Sequence, residues 1–161
     1  MTQFEVLLAL SLAGYAKGAW GMPKDVSYSS ISVDFVREAL PAWVDSLPAE
    51  LIQIRAVGGG KTVGVARAES ESGDCDNIAS DFTTFLSRCM WRDAVKTRTP
   101  RGNVAAGSFF FWLVPGQPAS GHAIVWFIDH EQRAHHVDPG SQEIDHLSAD
   151  QLGTIFGGEY A

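Results

Sequence analysis

In the first fifteen residues Phe4, Leu7, Leu8, Ser11, Leu12 and Tyr15 recur at steps of three and four, which predicts an amphipathic helix burying that stripe. Thr2 and Glu5 form a T-x-x-E capping box ahead of it, and the helix should stop near Gly18 or Gly21, before Pro23. Ser32 is placed to cap a short helix over 33–40, with Asp34 in its first turn and Pro41 ending it. A turn with a little helix follows in AWVDSLPAEL (42–51). Two β-branched runs, LIQIRAV (51–57) and TVGVARAE (62–69), then flank Gly58, Gly59, Gly60 and Lys61, the pattern of a hairpin. The GGGKT inside it resembles the end of a phosphate-binding loop. That loop needs glycine where Arg55 stands, and a helix where a strand pattern follows, so a nucleotide site is excluded.

A longer helical pattern opens at Asp74, a good N-cap, and buries Ile78, Phe82, Phe85, Leu86, Cys89 and Met90. Beyond Arg101 the runs SFFFWLV (108–114), HAIVWFI (122–128) and QRAHHVD (132–138) predict a three-stranded meander, apolar enough to be central in a sheet. Ser148 and Gln151 make a second capping box, and Leu152, Ile155 and Phe156 form a short closing helix ending at Gly157. Helices, a hairpin, a helix and an antiparallel sheet in this order predict an α+β fold in one domain over residues 1–161.

Charge and composition narrow the partners. The 161 residues carry a formal charge of −7 with 12 scattered Lys and Arg, so there is no basic stripe to neutralise a nucleic-acid backbone. The apolar stretch at 4–15 contains Glu5 and has no basic residue before Lys17, unlike a secretory signal, and it is too short to span a bilayer. A cytoplasmic protein without membrane contact is expected.

Cys75 carries the candidate chemistry. It falls in the first helical turn, where free N–H donors stabilise a sulfur anion, while Asp74 and Asp76 oppose one, so a cationic partner is required. Cys89 sits mid-helix as an apolar filler, roughly 21 Å further along the axis, too far for a disulfide. A hairpin centred on His130, with a three-residue loop 129–131, sets His122 opposite Asp138, so the carboxylate can orient the imidazole. A one-residue slip would part them. His135 and His136 point to opposite faces of their strand, and a zinc site from His122, His136 and Asp138 lacks regular ligand spacing.

GDCDNIASDFTTFL (73–86), GHAIVWFI (121–128) and HHVDPG (135–140) together resemble the transglutaminase-like branch of the papain-like cysteine proteases, as in small bacterial transglutaminase-like cysteine proteinases. The match spans residues 72 to 140. It implies a papain-like fold, with N-terminal helices and a cysteine-bearing central helix packed on an antiparallel sheet. It also implies Cys75 as nucleophile, His122 as general acid and base, and Asp138 as orienting acid. The reaction implied is hydrolysis of a protein or peptide amide through a thioester, with no cofactor or metal. The alternatives are transfer to an amine acceptor, or a catalytically silent binding or inhibitory module. The Cys75 N–H would be one oxyanion donor; Gln53 or a tryptophan indole would be the other.

Overall fold

The computed structural model describes residues 1–15, 19–20, 27–54, 61–63, 75–99, 101–114, 117 and 121–160. Its first helix, α1 (Gln3–Leu12), opens on the expected capping box: the Thr2 hydroxyl accepts from the Glu5 N–H at 3.3 Å, and the Glu5 carboxylate accepts from the Thr2 N–H at 2.6 Å. The helix buries Val6, Ala9 and Leu10, not the expected stripe; Phe4 and Leu12 are 72% and 80% exposed. Almost every position of this segment is apolar, so periodicity alone does not choose the inward face. The helix also stops early, at Leu12, where Gly14 takes a left-handed φ of 77°. The expected stops at 18 and 21 lie outside the described residues.

Strand β1 (Ala19–Trp20) and strand β2 (Tyr28–Ser29) precede α2 (Val33–Val44). Ser32 caps α2 by accepting from the Phe35 N–H at 3.0 Å, as expected. Pro41 does not end it. The ring removes one N–H, but burial of Trp43 and Val44 beyond it outweighs that loss and carries the helix another turn. A 3-10 turn (Ala49–Leu51) leads into the expected hairpin, β3 (Ile52–Ile54) with β4 (Lys61–Val63), in which Gln53 faces Thr62. Its connection and the expected cap Asp74 lie outside the described residues.

The long helix α3 (Cys75–Thr97) buries Ile78, Ala79, Phe82, Thr83, Leu86 and Met90, with Phe85 and Cys75 packed at the margin of the cluster and Cys89 half-buried outside it. It is tied to α2 by the Trp43 indole N–H, which donates to Asp81 at 2.7 Å. Six strands follow: β5 (Asn103–Val104), β6 (Ala106–Trp112), β7 (Gly121–Ile128), β8 (Ala134–Asp138), β9 (Glu143–Ile144) and β10 (Gly157–Tyr160), with α4 (Ala149–Leu152) between the last two. The main sheet has the order β1-β10-β6-β7-β8-β9, antiparallel except for β1 beside β10. The Ser148–Gln151 box caps α4 as expected, but that helix is only four residues long, and the chain beyond it returns as β10.

Alternation along the strands divides the interior in two. Ala106, Ala123, Val125, Phe127 and Val137 pack under α2 and α3. Phe109, Phe111, Ile124, Trp126 and Ile128 pack with α1 and Tyr15. The sheet is therefore covered on both faces, and its strands read as continuous apolar runs for that reason.

Candidate functional site

The expected register between β7 and β8 is displaced by two residues: Val125 faces Val137 and Ile128 faces Ala134. The turn is correspondingly longer, 129–133, because the Asp129 carboxylate accepts from the N–H groups of both Glu131 and Arg133 at 2.9 Å, with Gln132 at φ 61°. A displacement of two preserves the face of every side chain. His122 and Asp138 thus become diagonal neighbours and still meet, Nε2 to Oδ2 at 3.1 Å, both partly buried. The second Asp138 oxygen accepts from the N–H groups of Gly140 at 2.8 Å and Ser141 at 3.2 Å, which fixes the carboxylate in the turn after β8.

The start of α3 brings Cys75 to the same place, close enough for its sulfur to act on the His122 imidazole. The three groups predicted from the sequence form one row, Cys75–His122–Asp138, where β7 begins, β8 ends and α3 begins. Burial is the largest influence on His122 and opposes its charge. The hydrogen bond to Asp138 and then the Cys75 sulfur outweigh it, and the pKa is raised to about 9. Burial likewise works against the Asp138 carboxylate, and the His122 and backbone bonds overcome it, so its pKa is lowered. The raised pKa favours the charged imidazolium in this row.

An aromatic surface lies at the same end of the sheet, on the strand face opposite to that of His122, and takes Phe156 from the segment expected as the closing helix. Trp112 faces Gly121, the neighbour of His122, and stacks on Phe156 at 4.2 Å and 19°. A side chain at position 121 would come within 3.2 Å of the indole, so glycine there lets the ring lie against the start of β7. The Trp112 N–H is held by Thr154 at 3.0 Å. Phe156 is 40% exposed, and Leu113 and Val114 extend the apolar surface.

The neighbouring histidines serve the scaffold. His136 is buried; its Nε2 accepts from the Leu147 N–H at 3.0 Å, so its Nδ1 faces the Tyr15 hydroxyl at 2.8 Å as the protonated nitrogen. Desolvation dominates there and lowers its pKa to about 4. His135 stands between Asp145 at 2.6 Å and Asp129 at 3.0 Å and stacks on Phe127. Neither joins the row as a metal ligand. Burial pushes the Cys89 thiol up, but the side chain is only half-buried and joins neither apolar cluster, short of the buried filler expected.

Helices covering both faces of a mostly antiparallel sheet define, in this connectivity, a fold found among solved lectin structures. One is Polyporus squamosus lectin bound to the human-type influenza-binding epitope Neu5Aca2-6Galb1-4GlcNAc, with a TM-score of 0.61 and 16% identity over 99% of this chain and 49% of that one. Another is the PSL1a-E64 complex, with a TM-score of 0.63 and 16% identity over 99% of this chain and 50% of that one. The chain therefore spans about half the length of either neighbour. No family model and no curated protein matches the sequence.

This finding corrects the transglutaminase-like, papain-like assignment and the fold expected from it. The expectation of a cysteine hydrolase, protease or deamidase acting on a protein or peptide falls with it, since it rested on that fold assignment. The motif misled because a cysteine at a helix start, a histidine at a strand start and an aspartate at a strand end describe three local positions, which different folds can supply. Among the described residues no helix is long and apolar enough to cross a membrane.

Proposed function

We propose that the chain is a carbohydrate-binding module, one domain over residues 1–161, and that Cys75, His122 and Asp138 are the polar part of its ligand site. The observation that carries this reading is the fold likeness over 99% of the chain to lectin structures, one of them holding Neu5Aca2-6Galb1-4GlcNAc. The chemistry at this end of the sheet agrees with it. A raised His122 pKa places a positive charge at the site, which attracts the carboxylate of a sialylated glycan. On the other face of the same strand end, the stacked Trp112 and Phe156 supply an apolar plate against which the C–H face of a sugar ring can pack.

Calorimetric titration with Neu5Aca2-6Galb1-4GlcNAc tests the reading, with E64 as a second probe. Saturable binding is expected, weakened about tenfold by Trp112→Ala or His122→Ala. Affinity should fall as pH rises through about 9, where His122 loses its proton. E64 binding abolished by Cys75→Ala would support the place of the site. Cys75-dependent cleavage of an amide substrate, or absence of any glycan binding, would overturn the binding-module reading.

A further inference from the structure

A second concavity lies away from the row, along the middle of α3. It is a groove of about 380 Å³ between α3 and the β6–β10 pair, lined by Ser80, Thr83, Thr84 and Ser87 on the helix and by Ser108, Asn103 and Glu159 opposite. Ser108 and Glu159 are direct partners across the ladder, so their side chains share the face turned to α3. Ser108 is 5% exposed, and its hydroxyl has no hydrogen-bond partner among the described residues. A buried hydroxyl left without a partner destabilises a fold, and alanine would fit the same space. The hydroxyl is thus better explained by something that enters the groove than by the packing around it.

We infer that this groove is a second ligand site, floored by Ser108 and walled by Ser80, Thr84 and Ser87, and that it takes a neutral polyhydroxylated molecule of hexopyranoside size. The lining decides the class. It contains no Lys, Arg or His, and the carboxylate of Glu159 repels anions, so phosphates and acidic sugars are disfavoured. It contains no aromatic ring on which a flat ligand could stack. A single carboxylate is a poor cage for a divalent cation. Hydroxyls remain as the match. Thr83 and Thr84 already donate their protons to the carbonyls of Ala79 at 2.8 Å and Ser80 at 3.0 Å, so they offer lone pairs, and Ser108 keeps its proton to give. A ligand whose every hydroxyl both donates and accepts satisfies walls and floor together. The volume falls within the range of small-molecule sites.

The site is independent of the Cys75–His122–Asp138 row and is tested apart from it. In amide NMR spectra, methyl β-galactoside and N-acetylglucosamine at about 50 mM, enough to fill a millimolar site, should shift the signals of Ser80, Thr84, Ser87, Ser108 and Glu159 saturably. N-acetylneuraminic acid should leave them in place. The signals of Gly121 and His122, followed in the same spectra, report on the row, so the two readings fail or stand separately. Ser108→Ala should keep the melting temperature or raise it while weakening the neutral sugars about tenfold. Ser87→Leu should fill the groove and abolish the shifts. Neutral sugars that leave these five signals unmoved, or that bind Ser108→Ala as tightly as the parent, would overturn the proposal.

Discussion

Histidines of one chain can titrate in opposite senses, and here the partners decide which. His136 donates one nitrogen's proton to Tyr15 and accepts a backbone N–H on the other, in a buried place that disfavours a second proton on the ring. With a folded pKa of about 4 against 6.5, it costs nothing above pH 6.5, and the fold loses stability as pH falls from there to about 4, by roughly 3 kcal/mol in all. His135, pinched between two carboxylates, and His122, beside Asp138, have raised pKa values; their contribution is complete below pH 6.5 and is lost as pH rises through the folded value. Urea melts between pH 7 and 4 should therefore show an acid slope that His136→Gln flattens. A slope unchanged in that variant would place the acid sensitivity elsewhere, with Asp129 the next carboxylate to test, its pKa held to about 2 by His135 and Arg133 against the opposing effect of burial.

At the level of elements, the β7–β8 hairpin shows how a site can be legible while its geometry is not. The alternation of HAIVWFI and of AHHVD places His122 and Asp138 on one face at any even displacement, so the pair was readable from parity alone. The turn was not, because the deciding interactions are the Asp129 side-chain bonds, which shorten β8 and lengthen the loop. The aromatic plate was hidden for another reason: Phe156 completes a helical spacing with Leu152 and Ile155, whereas α4 ends at Leu152. Strand β10, GGEY, has too few apolar residues to signal a strand, yet it lies against β6, with the Trp126 indole donating to the Glu159 carbonyl at 3.1 Å. Its closeness depends on Gly107, where an added Cβ would stand 2.0 Å from the Glu159 carbonyl oxygen. Gly107→Ala should lift β10 from the sheet and cost about 3 kcal/mol or more, read as a lowered urea midpoint with lost amide protection at 157–160. A midpoint equal to the parent's would show that β10 adds little.

For the whole molecule, the two apolar clusters on either side of the sheet explain why composition and pattern gave the right kinds of element but the wrong family. Both faces of the central strands are covered by apolar clusters, so these strands carry little polar alternation, and nothing local in them records which helices cover which face. Phe82 is the contact common to α3, Trp43 of α2 and the sheet cluster. Truncating it to alanine should cost about 3–5 kcal/mol, a large share of the ordinary stability of a domain, and should be visible as a fall in thermal midpoint with both helices loosened together. A small shift confined to α2 would mean that the clusters unfold separately.

Strand β1 pairs with β10, residues 19–20 alongside 157–158, so segments far apart in sequence become immediate neighbours. Closing so long a loop is entropically expensive and is repaid only once the intervening strands are already aligned. Refolding is accordingly expected to be slow, with the β1 edge docking last, and a cut anywhere between the two segments would leave that edge frayed even if both pieces stayed together.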